Sequence, residues 1–515
     1  MNAGGQPVVS AAVDCALLHQ LLEHQAIAQP DGIALFWQGE PVSYSKLHRN
    51  VLRVAGRLAS VGAPGDRVAV LSWNCPQFVE LIYGVPAAGR ILVPLNTRLA
   101  PAELVYQLRH AGVTVLFGDP DLLRPLLAAE GFPAALQVVA LDAQYPAWRD
   151  TAGVADPPTT TGDAPAWILY TSGSTGRPKG AVLTHTSFLA GLRSAALARP
   201  VQAGDRYYYP FPLFHVSAHN VLLQHQYGAA VVLARAFDPA DTLAACRELQ
   251  VTSMSLAPTM IGLLLDHPDF TPADLRTVRT IGYGASAMPQ TLLQRLLADT
   301  RVGLCQSYGM TELSGSVSFL TVEDHRRAAR DRPQLLRSVG RPLPTATLRL
   351  LDDAGCPCPP GEPGEIVVQA DQCMLGYWRD ELATATALAG GWLHTGDIGR
   401  LDEEGYLYLV DRKKDMIISG GENIASREVE EALRRHPSVR DCAVIGLPDP
   451  QWGERVCAVL CLREAASDET LSAHCRTLLA GYKTPGRWFR VDHLPVNAAG
   501  KVDKPLLRQR YGVTT

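Results

Sequence analysis

The chain has 515 residues, a formal net charge of -4, 47% apolar residues and 19% charged residues. That length exceeds one hydrophobic core and predicts two or more domains. The small net charge excludes a nucleic-acid or anionic-membrane surface as the organising feature. Eleven scattered cysteines, an odd number, with Cys356 and Cys358 as a C-x-C beside prolines, form no metal or redox pattern and predict reduced thiols. No run is long and apolar enough for a membrane span, Asp14 interrupts the only candidate leader, and the C-terminal Val-Thr-Thr is no recognised address, so a cytoplasmic location is expected.

Residues 1 to about 160 alternate between patterns. Short apolar runs at 68–71, 91–93 and 113–117 predict strands, and helical spacing over 47–58 and 102–111 predicts helices. This alternation argues for parallel-sheet α/β structure. Nothing here calls for chemistry, and His19, His24, His48 and His110 read as surface or capping residues. Residues 156–162, made only of Asp, Pro, Thr and Gly, are a connecting loop.

The organising stretch follows at 170–180, Tyr-Thr-Ser-Gly-Ser-Thr-Gly-Arg-Pro-Lys-Gly, after a buried strand predicted at 166–169. Seven of its eleven residues are Gly, Ser or Thr. Small residues let successive amides approach an anion, and hydroxyls and Lys179 add donors and charge. A P-loop is rejected, because Pro178 replaces its second glycine and Gly180 follows the lysine. A flexible Gly/Ser linker does not suit a stretch held between a strand and the apolar 181–183.

Alternation resumes over 187–319, with strands predicted at 229–233, 252–256 and 278–281. Three clusters stand out there. Phe-Pro-Leu-Phe-His at 211–215 reads on its bare residues as an aromatic turn. Gly-Tyr-Gly-Ala-Ser-Ala-Met-Pro at 282–289 offers a flat, small-residue surface. Gln-Ser-Tyr-Gly-Met-Thr-Glu at 306–312 ends in an acid that, taken alone, reads as a helix cap. From 338 to 408 strand-like pieces (346–351, 364–368) alternate with turns, which predicts a small β-rich subdomain containing Gly-Trp-Leu-His-Thr-Gly-Asp at 391–397. A charged turn leads into Ile-Ile-Ser-Gly-Gly-Glu-Asn-Ile at 417–424. Beyond it lies an α+β module with helices at 426–435 and from 471, strands near 442–446 and 456–460, and Val-Asn-Ala-Ala-Gly-Lys at 496–501.

These motifs, in this order across nearly the whole chain, resemble the ANL superfamily of adenylate-forming enzymes: acyl- and aryl-CoA synthetases, peptide-synthetase adenylation domains and luciferases. The resemblance implies an α/β fold. Its large N-terminal domain, residues 1–413, consists of parallel-sheet α/β halves plus the β-rich subdomain at about 337–410. A mobile α+β C-terminal domain, 414–515, turns about a hinge at Lys414. It implies ATP, Mg²⁺ and CoA, and a role for each motif residue. Thr171, Ser172, Gly173, Ser174, Thr175, Gly176 and Lys179 cradle phosphates, while Gly284, Ala285 and Ser286 meet the purine and the acyl group. Tyr308, beside Gly309, stacks on adenine, Thr311 contacts the α-phosphate, and Glu312 holds the metal. His215 is a gate beside the acyl pocket, Asp397 and Arg412 hold the ribose, and Gly420 and Gly421 admit a thiol arm. Lys501 is the adenylation lysine.

The implied activity is formation of an acyl-adenylate and transfer of the acyl group to CoA. Loading of a carrier-protein phosphopantetheine, a luciferase-like oxidation and a non-catalytic nucleotide-binding regulator stay open. Between Gly282 and Met310 the only cations are Arg295 and Arg301, outside the motif segments. That points to an aromatic, alicyclic or fatty monocarboxylate, handled by a monomer or homodimer. Three departures from the family pattern are visible: Glu381-Leu382 and Ser426, where relatives commonly carry proline, and Gly486 after Tyr-Lys-Thr-Pro at 482–485, where a basic residue is frequent.

Overall fold

The computed structural model describes residues 15–151, 158–171, 177–284, 288, 290–419, 422–497 and 500–512. The chain forms two compact units. The first comprises Met1–Thr347, Val368–Leu393 and Gly405–Leu407, and the second Leu348–Val367, His394–Glu404 and Tyr408–Thr515.

Among the described residues the first unit carries a nine-stranded and a seven-stranded sheet. In the seven-stranded sheet the strands Arg67–Leu71, Ile91–Pro94 and Val113–Gly118 pair in parallel, as their short apolar runs predict. Parallel strands need crossovers, and the amphipathic helices Tyr44–Ser60 and Pro101–Ala111 supply apolar faces for the sheets. Strand 166–169 extends to Pro165–Thr171, and 181–183 is itself a strand, Lys179–Thr184, antiparallel to it. In the nine-stranded sheet, Arg206–Tyr209, Ser253–Ser255, Thr280–Gly284 and Gly303–Met310 run parallel to one another, and Gly315–Leu320 pairs antiparallel with the last of them. Its other end is a hairpin, Ile33–Trp37 with Glu40–Ser43, whose two turn residues Gln38 (φ 52°) and Gly39 (φ 84°) are both left-handed. That turn matches the strands' own twist.

Strand periodicity decides which face does what. In Thr280–Gly284 the side chains of Ile281 and Tyr283 point into the core, leaving Gly282 and Gly284 on the opposite face. His19 departs from the surface reading. It is 8% exposed on helix Leu18–Ala28, where burial, then His48, lowers its pKa to about 4. The helix repeat turned it inward with Leu18, Leu21 and Leu22.

The second unit holds most of a four-stranded sheet (Thr347–Leu351, Gly364–Gln369, Leu393–Leu401, Leu407–Arg412) and a five-stranded sheet. The five-stranded sheet is built on the long antiparallel pair Val439–Asp449 and Gly453–Leu462. Alternate residues of that pair feed two cores. Cys442 and Val444 pack with helices Ser426–Arg434 and Asp468–Leu478, while Ala443, Ile445 and Leu447 pack with helix Lys504–Tyr511.

One turn of the first unit admits only glycine. Gly340 has φ +85°, and a Cβ there would lie 1.8 Å from the Phe319 carbonyl carbon. Its own carbonyl accepts from Leu407 N at 2.7 Å. Gly340→Ala is therefore expected to destabilise the first unit by about 3 kcal/mol or more. The measurement is its urea unfolding midpoint, and an unchanged midpoint contradicts the strain argument.

Candidate active site

The Gly/Ser/Thr loop closes a hairpin rather than joining a strand to a helix. Thr171 lies opposite Lys179, and Tyr170 opposite Gly180. Ser172, Gly173, Ser174, Thr175 and Gly176 lie outside the described residues. Gly180 is needed for space, since a Cβ would sit 2.7 Å from Ile168 Cγ2. The exposed edge of Lys179–Thr184 pairs with the two-residue strand Gly376–Tyr377, and Trp378 N donates to Gly180 O at 2.7 Å. That pairing brings a phenol beside the loop.

Glu312 reaches the same place from the other sheet. Strand Gly303–Met310 ends in the 3₁₀ turn Thr311–Leu313, stopped by Ser314 in the left-handed region (φ 49°). Gly309 allows the return, because a Cβ there would lie 2.0 Å from Gly315 O. Glu312 is 5% exposed, and its carbonyl accepts from Met374 N at 2.8 Å. Its Oε1 accepts from Thr171 Oγ1 (3.3 Å) and from the Tyr377 hydroxyl (3.0 Å). The side chain therefore spans to the loop hairpin and does not cap its own turn. The Lys179 ammonium lies 5.1 Å from the Tyr377 ring centroid. Burial, then the Glu312 carboxylate, pushes the Tyr377 phenol well above its ordinary range, so it stays protonated and donates.

Sequence reasoning missed Tyr377. The signal was a Gly-Tyr-Trp run, but nothing local says which edge it pairs with. Tyr377→Phe is expected to keep the fold and to lower acid-dependent ATP–pyrophosphate exchange by about 10- to 100-fold, one hydrogen bond to a charged group. Exchange unchanged by the substitution would remove Tyr377 from the site.

Other predicted residues of this unit fall as follows. Tyr308 is buried (7% exposed) near the end of its strand. Gly284 lies close against the neighbouring strand, its Cβ position 2.8 Å from Ser307 O. Ala285 and Ser286 lie outside the described residues. Thr311 opens the turn that carries Glu312. His215 starts the 3₁₀ turn Val216–Ala218, its ring 4.6 Å from that of Phe214. Asn74, 2% exposed, ties this segment down: its amide donates to Phe211 O (2.7 Å) and its oxygen accepts from Leu213 N (2.8 Å). Leu213 and Phe214 are core, while His215 is only half-buried.

In the second unit Asp397 and Arg412 come together, Arg412 Nε to Asp397 Oδ1 at 2.6 Å, with Asp397 buried and Arg412 half-exposed. Glu365 sits on a strand of the same sheet and pairs with Lys413 (3.0 Å) and His394 (3.4 Å). Lys414 lies in the 3₁₀ turn Lys413–Asp415, and Arg508 pairs with Asp415 at 2.9 Å. Gly420 and Gly421 lie outside the described residues. Ser426 explains one departure: its hydroxyl donates to Asp411 Oδ2 at 2.7 Å and its backbone N–H goes to the same oxygen. Proline would forfeit both bonds. Glu381-Leu382 opens a short helix, Glu381–Ala387, capped by Asp380. Lys501 is exposed in a tight turn, where Gly500 (φ 74°) and the pair Asn497 N to Lys501 O (2.7 Å) bend the chain.

Two family models match the chain: AMP-binding enzyme over residues 22–378, and AMP-binding enzyme C-terminal domain over 428–501. The chain belongs to the AMP-binding enzyme family. Within it, this is an ANL-superfamily acid–CoA ligase of the AMP-forming kind. A feruloyl-CoA synthase of Amycolatopsis sp is 38% identical over 494 residues, covering 95% of this chain and 98% of that protein. A fatty acid–[acyl-carrier-protein] ligase of Streptomyces coeruleorubidus is 34% identical, covering 96% of each. The solved o-succinylbenzoate CoA synthetase of Bacillus subtilis, in complex with its acyl-adenylate, has a TM-score of 0.86 at 32% identity, covering 96% of this chain and 98% of that one. Among the described residues no helix is long and apolar enough to cross a membrane.

Proposed function

We propose that this family member activates a small organic acid with an aromatic, alicyclic or fatty body and passes it to the thiol of CoA. The acid's carboxylate attacks the α-phosphorus of ATP in line, and pyrophosphate leaves. The thiol then attacks the carbonyl carbon of the mixed anhydride, and AMP leaves. The observation that carries this reading is the Glu312 carboxylate held between Thr171 and Tyr377 at the root of the phosphate loop.

Glu312 suits a magnesium ion arriving with the nucleotide. Its Oε1 accepts two bonds in the structure, which leaves Oε2 for a hard cation. Among the described residues no cluster of three or more His, Cys, Asp or Glu is placed to hold a metal, so phosphate oxygens and water must complete the ligand set. When bound, the ion neutralises phosphate charge.

The remaining roles belong to the chain. Thr171 and Lys179, at the two ends of the hairpin loop, position the β- and γ-phosphates together with Ser172, Gly173, Ser174, Thr175 and Gly176. Thr311 contacts the α-phosphate, and Tyr308 and Gly309, with Gly284, Ala285 and Ser286, hold the adenine and the acyl group. Asp397 and Arg412 take the ribose hydroxyls, and His215 gates the acyl pocket. Lys501 bridges carboxylate and phosphate oxygens as a compact three-donor cation. The C-terminal domain, 414–515, then turns about Lys414 relative to 1–413, withdrawing Lys501 and bringing Gly420 and Gly421 to the thiol's path.

The test is acid-dependent ATP–pyrophosphate exchange over a panel of carboxylates, followed by thioester formation with CoA alone. Exchange without any CoA thioester favours a carrier-protein acceptor, the reaction named for the Streptomyces coeruleorubidus relative. No exchange with any acid rejects the enzyme reading in favour of a nucleotide-binding regulator.

A further inference from the structure

The segment 282–310 supplies no cation to the acyl site, but the fold brings one from elsewhere. Arg199 closes the helix His185–Ala198 and lies against strand Thr280–Gly284. Its Nη1 donates to Ser255 Oγ (2.9 Å) and its Nη2 to Asn220 Oδ1 (2.7 Å). A Cβ on Gly282 would sit 2.6 Å from Nη1, so the guanidinium rests on bare backbone. Gly282 shares a face with Gly284, two residues further along. A group that passes Gly284 along this face therefore meets Arg199.

The cluster has more donors than acceptors. Arg199 Nε is sealed from water with no acceptor, and among the described residues no carboxylate pairs with this arginine. Ser255 is 7% exposed and accepts from both Arg199 and the Tyr207 hydroxyl (2.7 Å). Tyr207 also bonds the Arg199 side chain, so the acceptors in reach of this guanidinium are the Ser255 and Tyr207 hydroxyls and the Asn220 amide oxygen, and Nε still has none. Asn220 cannot turn to help, because its amide donates to Ser217 O at 2.9 Å. His219, one residue away, is buried, and burial, then Arg199, lowers its pKa to about 4, so it contributes no charge. Its ring stands 3.5 Å from the Cβ position of Gly315, three residues past Glu312, which joins the cluster to the catalytic turn. A half-buried cation whose own Nε has no acceptor is costly unless one arrives.

We propose that Arg199 and Ser255 form the far end of the acyl site and select acids with an oxygen acceptor remote from the reacting carboxylate, an anionic oxygen above a neutral one. This rests on the acid-ligase reading and extends the monocarboxylate expectation, which counted only cations close in sequence.

The experiment measures kcat/KM for pyrophosphate exchange with 4-methyl-, 4-hydroxy- and 4-carboxycinnamate and with the three corresponding benzoates, which differ in length. Wild-type enzyme is expected to favour the carboxy acid over the methyl acid by at least about 10-fold in one series, since unpaired buried donors penalise the analogue lacking the acceptor. Arg199→Met is expected to abolish or invert that ranking. If Arg199→Met does not fold, Ser255→Ala carries the test and is expected to narrow the preference several-fold. A wild-type preference for the methyl acids, or one ranking shared by wild type and the folded variant, overturns the proposal. Exchange with none of the acids, methyl-terminated ones included, strikes at the ligase reading itself and takes this inference with it.

Discussion

Lys501→Ala is expected to lower acyl-adenylate formation by about 10³-fold, the upper range for removing one preorganised donor from a developing phosphoryl charge. Thioester formation from a supplied acyl-adenylate is expected to change by less than about 3-fold. The asymmetry follows from the chemistry. In the first step two anions, carboxylate and phosphate, must approach each other, and only a cation between them offsets the repulsion. In the second step the acyl group is already a good electrophile with AMP as leaving group, and an ammonium at that position would stand in the thiol's way. Lys501 is exposed in a turn fixed by backbone and Asn497 contacts, Lys501 N to Asn497 Oδ1 at 3.1 Å, so truncating its side chain leaves the fold intact. Pyrophosphate exchange and single-turnover thioester formation, measured separately, check this. Equal losses in both steps would falsify the division of labour.

Glu312→Gln is expected to reduce adenylate formation by about 10²-fold and to raise the magnesium concentration needed for half-maximal exchange. Glutamine keeps a carbonyl oxygen for Thr171 and Tyr377, so the local hydrogen bonds survive and the loss isolates charge. A magnesium titration of exchange distinguishes this from a packing defect, which lowers the rate at every magnesium concentration alike. An unchanged half-saturation point removes Glu312 from the metal.

The two substitutions test different halves of the proposed machinery. Glu312 belongs to the first unit, between two hydroxyls, and acts on charge that the nucleotide brings. Lys501 belongs to the second unit and, in that proposal, acts only while it is delivered. A variant that blocks turning at Lys414 is therefore expected to resemble neither, retaining one half-reaction according to the orientation it traps.

The sequence by itself determined the family and the order of the motifs, and it supplied most of the residues proposed for ATP. These are legible because each is local. A run of Gly, Ser and Thr before Lys179 needs no partner to announce a phosphate loop, and Thr311-Glu312 keep their place after Tyr308 and Gly309 on one strand and turn. The apolar runs at 68–71 and 91–93 and the helical spacing over 102–111 are equally local, since each is a pattern among neighbouring residues and the two strands are buried along their length. What only the tertiary structure decided is long-range. The hydroxyl of Tyr377 reaches Glu312 because a two-residue strand, too short to show any period, adds to the edge of Lys179–Thr184. Arg199 meets Ser255, 56 residues away in sequence, because a helix end crosses a sheet face stripped to glycine. His19 is buried because its helix turns that side inward. Pairing, crossing and facing are properties of the packed chain, and no window of neighbouring residues encodes them.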